Sequence, residues 1–176
     1  MKYLRKVING LNHLRLNLFC KNIKLDGVGL VATSSIIKVI KGQLKAGKRV
    51  LLSKHTELRS YGDLKIGDNF CLNSYSRIIA HDKITIGNNV TLAQFVTILD
   101  HDHNYEVNLK GELSLKGYKT APISIGNNVW IADKVTILKG VTIGDNVIIG
   151  ANSLVIKDVE SNSIMGGVPA KLLKKI

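Results

Sequence analysis

The sequence predicts an all-β chain wound as a parallel β-helix, and three observations carry that prediction. Aliphatic residues recur every six positions: Ile125, Ile131, Ile137, Ile143, Ile149 and Val155 share one register. Val129, Val135, Val141, Val147, Ser153 and Val159 form a second row four positions later. Turn residues punctuate the repeats, as in Ile66-Gly67-Asp68-Asn69, Ile86-Gly87-Asn88-Asn89, Ile125-Gly126-Asn127-Asn128 and Ile143-Gly144-Asp145-Asn146. Finally, Ile, Leu and Val supply 58 of 176 residues against nine aromatics and two prolines, so aliphatic layers must form the core.

An amphipathic helix needs apolar recurrence near 3.6 residues, which a period of six does not supply. Glycine and asparagine tolerate the left-handed backbone of tight corners. Each hexad therefore reads as a short strand plus a corner, and three hexads close one triangular coil. Successive coils stack as parallel strands ~4.8 Å apart, with one aliphatic side chain per face pointing inward. Burying such a side chain stabilises by ~1.5–3 kcal/mol, whereas ordering each residue's backbone costs ~1–2 kcal/mol. A lone coil is thus unstable, and stacking is obligatory.

Taken in order, residues 2–19 place Leu4, Val7, Ile8, Leu11, Leu14 and Leu18 on one helical face, opposite Arg5, Lys6, Asn9 and Arg15. Segment 1–25 is therefore read as a short helical cap over an exposed coil edge, its basic face being the one candidate for a membrane-surface contact. The β-helix is expected over 26–165. A degenerate coil at about 26–45 precedes units at 46–65, 66–85, 86–124, 125–142 and 143–160. Upstream, Ile66, Leu72, Ile78 and then Ile86, Leu92, Ile98 keep the register, with two extra residues between the triples. The run Asp100-His101-Asp102-His103-Asn104-Tyr105 through Thr120-Ala121 interrupts it as loop 100–121, and long loops on rigid scaffolds are usually functional. Residues 166–176 read as a basic C-terminal tail.

Composition narrows the function classes. Cys20 and Cys71 show no metal or disulfide spacing, so reduced thiols and no metal site are expected. No apolar signal core with a small-residue cleavage site opens the chain, and nowhere do 18 apolar residues run together, so a cytoplasmic protein is expected. A net charge of +12 fits nucleic acid, an anionic membrane or a phosphorylated small molecule. Nucleic acid is disfavoured because no aromatics interleave with the cations.

Residues 58–171 resemble the hexapeptide-repeat acyltransferases, and within them the sugar O-acetyltransferases of galactoside, maltose and polysaccharide type. The strongest stretch runs from Ile123-Ser124-Ile125-Gly126-Asn127-Asn128-Val129-Trp130-Ile131-Ala132 to Gly166-Gly167-Val168-Pro169-Ala170-Lys171. The resemblance implies a left-handed β-helix, a homotrimer with active sites between subunits, and acetyl-CoA as donor. The hand comes from the resemblance alone, since ~98% of parallel connections are right-handed.

The resemblance also implies a catalytic histidine seven residues after the valine closing the preceding hexad, and Val96 leads in this way to His103. His101 is the alternative, or orders the loop. A neutral imidazole suits removal of a hydroxyl proton near pH 7. Asp100, Asp102 and Glu106 are the acids available to orient it, and the sequence does not choose among them. Two histidines between acids also read as a solvated turn or a metal site, but no third ligand stands at helpful spacing.

For the acceptor, Asn73 and Ser60 match sugar-contacting positions of the family. His81 stands where close relatives carry an acidic acceptor ligand, a departure from the family pattern on the acceptor side. For the donor, Trp130, Asp133, Ala151, Ile156, Lys157, Lys171 and Lys174 match. Asp133 and Ile156 depart from the family's residue types, so only their backbone groups are expected to serve. Carbohydrate O-acetylation is the leading expectation. A xenobiotic or amino-sugar acetyltransferase and a non-catalytic β-helix scaffold are the alternatives.

Overall fold

The computed structural model describes residues 22–27 and 29–176. No helix occurs among the described residues, and the predicted helix over 2–19 lies outside them. Three parallel faces wind about one axis, an arrangement consistent with the left-handed β-helix that the resemblance implies. Face A stacks Ile23–Leu25, Gln43–Ala46, Asp63–Ile66, Lys83–Ile86, Ile123–Ile125 and Thr142–Ile143. Face B stacks Leu30–Val31, Leu51–Leu52, Cys71–Leu72, Val90–Leu92, Val129–Ile131, Val147–Ile149 and Ser163–Gly166. Face C stacks Ile36–Val39, Glu57–Ser60, Arg77–Ala80, Thr97–Leu99, Thr136–Ile137 and Leu154–Val155.

Ile23–Leu25 is the first strand among the described residues, so the end of the segment read as a cap already belongs to face A. The 26–45 coil, read as degenerate, pairs in full register with its successor, Ile36 to Val39 lying beside Glu57 to Ser60. At the other end the basic tail is not loose. Lys171–Lys175 turns back antiparallel on Ser163–Gly166 and closes face B.

The core is a column of aliphatic rungs. Leu64, Leu72, Ile78, Ile84, Leu92, Ile98, Ile131 and Ile137 are fully buried, one from each strand they occupy. Neighbouring residues of each strand point outward, which leaves every face with an outer surface that a ligand can reach.

The repeated Gly-Asx-Asn has a physical cause at the corner between faces A and B. Asn69, Asn89, Asn128, Asn146 and Asn162 all adopt φ near +55° to +57°, a region asparagine enters readily. Their side-chain amides hydrogen-bond from coil to coil at 2.7, 2.9, 3.0 and 2.9 Å. The preceding glycine leaves room for the next coil: a Cβ on Gly67 would lie 2.5 Å from Asn88 Oδ1 and 2.6 Å from the carbonyl oxygen of Gly87. The corner between faces B and C uses the same left-handed backbone at His55, Tyr75 and Phe95. There the rings stack at 5.1 Å centroid spacing, so aromatic stacking replaces the amide ladder.

Candidate active site

The site grows from the corner between faces C and A. This corner holds the two extra residues of each 20-residue coil, Tyr61-Gly62 and then His81-Asp82. One coil later the excursion leaves from the same place, as an antiparallel hairpin of His101–Val107 and Leu113–Thr120. Its departure does not disturb the winding, because Ile84 and Ile86 pair directly with Ile123 and Ile125 across it. The Asn108 carboxamide closes the tip by accepting from the backbone N–H groups of Lys110 and Glu112 at 2.9 and 3.0 Å.

Stacking coils at a corner stacks whatever side chains stand there. Tyr61 lies 4.4 Å from His81, and His81 lies 3.8 Å from His101, ring centroid to centroid. Tyr118, opposite His103 in the hairpin register, closes the group at 4.2 Å from His81, 5.3 Å from His101 and 4.8 Å from His103.

Beneath this group Asp100 is wholly buried. Its carboxylate accepts the backbone N–H groups of His81 and Asp82 at 2.7 and 2.8 Å, and His101 Nδ1 lies 3.3 Å from its Oδ1. Of the three acids available to orient an imidazole, the structure therefore selects Asp100 for His101. Asp102 instead pairs with Lys139 at 2.5 Å and Glu106 with Lys116 at 2.7 Å. A His101 proton on Nδ1 facing Asp100 would leave Nε2 as an acceptor. Burial pushes the His81 imidazole below its ordinary pKa near 6.5, helped by His101 and His103 and opposed by Asp100.

A cavity of about 280 Å³ opens on the outer surface of face C at the hairpin base, lined by Arg77, Ile79, Leu99, His101, Asp102 and His103. The two loop histidines thus share one space. His101 is packed and held by Asp100, whereas His103 is exposed.

The other predicted residues are distributed around the coil. Asn73 lies at the corner between faces B and C, its amide donating to the Leu92 carbonyl at 2.9 Å, and does not line the cavity. Ser60 is buried with its hydroxyl turned to the backbone oxygens of Gly62 and Gln43, so it shapes the corner rather than facing the cavity. Trp130, Ile148, Ile164 and Lys174 form one cross-strand column on face B, which joins two of the donor-side positions. Lys171 lies beside Gly166 on the same face, and Ala151 at the next corner. Asp133 caps that corner, accepting the Gln94 backbone N–H at 2.8 Å. Ile156 and Lys157 are exposed beyond face C and do not join the face B column. Tyr118 and Arg77 escaped the sequence reading, since nothing in the local pattern says that residue 118 folds back over residues 101 and 103. Among the described residues, no group of three or more His, Cys, Asp and Glu is arranged to hold a metal ion.

Residues 122–157 match the family described as bacterial transferase hexapeptide (six repeats). Over this stretch the chain is similar to acetyltransferases built of hexapeptide repeats. This hexapeptide-repeat chain is 44% identical over 73 residues to the galactoside O-acetyltransferase of Escherichia coli, a match covering 42% of the chain and 34% of that relative. The matched part thus spans about a third of the relative's length. It also resembles the solved maltose O-acetyltransferase of Clostridium difficile, with a TM-score of 0.60 and 26% identity over 99% of this chain and 83% of that one. An N-acyltransferase, AntD of Bacillus cereus, solved with dTDP and coenzyme A, shares the fold at a TM-score of 0.74 and 15% identity, covering 92% and 88% of the two chains.

Proposed function

We propose that this chain transfers an acetyl group from acetyl-CoA to a carbohydrate hydroxyl, with a loop histidine as general base. The observation that carries the reading is the shared cavity of His101 and His103 at the hairpin base. The galactoside and maltose O-acetyltransferases it resembles are named for this chemistry. His103, exposed and beside Tyr118, takes the acceptor hydroxyl proton as the oxygen attacks the thioester carbonyl. The C–S bond then breaks, and coenzyme A leaves as a thiolate that recovers the proton from the imidazolium. The acetyl group thus moves from sulfur to oxygen with no net change in protons.

A second assignment of the base rests on a specific contact. His101 meets buried Asp100 through Nδ1, the arrangement that fixes a tautomer and supports an imidazolium. In the first assignment this contact makes His101 the positioning residue that anchors the loop. On the donor side, the exposed indole of Trp130 and the ammonium groups of Lys171 and Lys174 offer surfaces for the pantetheine arm and the phosphates of coenzyme A.

Assembly belongs to the same proposal. The hairpin exposes Tyr105, Leu109, Leu113 and Leu115, and apolar side chains presented on an extended arm fit a neighbouring copy in a homotrimer. Screening radiolabelled acetyl-CoA against pyranosides, sugar nucleotides, amino acids and antibiotics tests the reading. Label should appear on a sugar hydroxyl, and transfer confined to amines would overturn it.

A further inference from the structure

We infer that the acceptor is an anionic sugar whose carboxylate or phosphate is held by Arg77 while its hydroxyl lies at the loop histidines; the inference rests on the acetyl transfer proposed above. Arg77 lines the same cavity as His101 and His103. Among the described residues its side chain makes a single long hydrogen bond, from Nε to the Thr97 hydroxyl at 3.4 Å, and no ion pair.

Three acids around it have other partners. Glu57, beside Arg77 on the preceding coil, pairs with Arg59. Asp102, in the cavity wall, pairs with Lys139. Asp100 is buried under two backbone N–H groups and His101. The cavity therefore presents a guanidinium fork without an ion-pair partner among the described residues, beside two imidazoles. That fork matches a carboxylate or phosphate in plane and spacing, and a neutral hydroxyl uses little of it.

The remaining walls agree with a sugar. Ile79 and Leu99 supply an apolar side for the C–H face of a ring. The volume, about 280 Å³, falls just under the ~300–1,000 Å³ typical of drug-sized ligands. One monosaccharide unit fits that space better than a sugar nucleotide, so the charge must sit on or next to the acetylated ring. The net charge of +12 favours approach of such an acceptor from solution.

Initial rates with acetyl-CoA would be compared for methyl glucuronide, glucose 1-phosphate, methyl glucoside and glucosamine, in the wild type, R77Q and R77K. One of the two anionic sugars should exceed methyl glucoside in kcat/KM by about tenfold or more, and which of them does so separates carboxylate from phosphate. R77Q should remove about tenfold to a hundredfold of that preference, chiefly through KM, as expected for loss of a charged hydrogen bond. R77K, keeping charge without the fork, should fall between. Equal rates for neutral and anionic sugars, or an equal loss for both in R77Q, would overturn the inference. If no acceptor is acetylated at all, the transfer reading fails by itself. Calorimetry with glucuronate and glucose 1-phosphate then decides the anion site: binding lost in R77Q upholds it, and no binding by the wild type overturns it. Arg77 is exposed, so R77Q should melt as the wild type does.

Discussion

His101 Nδ1 lies 3.3 Å from Oδ1 of Asp100, a carboxylate with no solvent exposure. The same carboxylate accepts two backbone N–H groups from the coil below, so one buried group joins the scaffold to the first residue of the hairpin. Asp100→Asn would turn an amide toward donors that need an acceptor. A buried donor left unsatisfied costs about 1–3 kcal/mol. Urea unfolding should register that loss, and an Asp100→Asn protein as stable as the wild type would show that the carboxylate is not the anchor.

The two loop histidines should separate kinetically. His103→Ala should lower turnover by ~10²–10⁴-fold, the usual worth of a general base, while His101→Ala costs less. Affinity for coenzyme A, measured by calorimetry, should stay within a few-fold because the proposed donor contacts lie on face B. Greater damage from His101→Ala would transfer the base role to the His101 and Asp100 pair. Full activity in both variants would remove the loop from the chemistry.

Protonation of His81 should destabilise the fold. Its pKa is pushed down from about 6.5 in the folded chain, first by burial and then by His101 and His103, with Asp100 opposing. Below pH 6.5 the unfolded chain therefore takes up a proton that the folded one resists, and stability falls as pH drops through that window. Melting curves from pH 7.5 to 5.0 should show a steeper decline for the wild type than for His81→Gln, and parallel declines would contradict the assignment.

Core and corner should respond by different mechanisms. Leu92 is fully buried, so Leu92→Ala should cost ~2–5 kcal/mol through lost burial and a cavity, whereas outward-facing Thr91→Ala should cost under about 0.5 kcal/mol. Gly67→Ala should lose ~1–3 kcal/mol, as overpacking does, because its methyl group would meet the next coil at 2.5 Å. Denaturant midpoints for the three variants check the ranking.

If the hairpin is the arm that holds copies together, replacing Leu109 and Leu115 with serine should shift the assembly toward monomer in light scattering. Circular dichroism should stay β-rich, since neither side chain packs in the core. A trimer unaffected by the double substitution would place the interface elsewhere.

The sequence by itself determined the winding. A six-residue aliphatic period with Gly-Asx-Asn corners has one economical solution, and even the two-residue offset was legible as a longer coil. That legibility is physical, because each inward side chain and each corner amide meets its own counterpart one coil away. The position of the excursion was equally plain, since an interrupted register is visible without knowing what interrupts it. Tertiary structure alone decided which acid meets which histidine. Asp100, Asp102 and Glu106 are equivalent neighbours along the chain, and only the corner geometry buries the first and gives the other two to Lys139 and Lys116. It also brought Tyr118 and Arg77 to the histidines, one across the hairpin and one from the preceding coil of face C. Contacts between residues of unlike type, made once and not repeated from coil to coil, leave no period in the sequence to read.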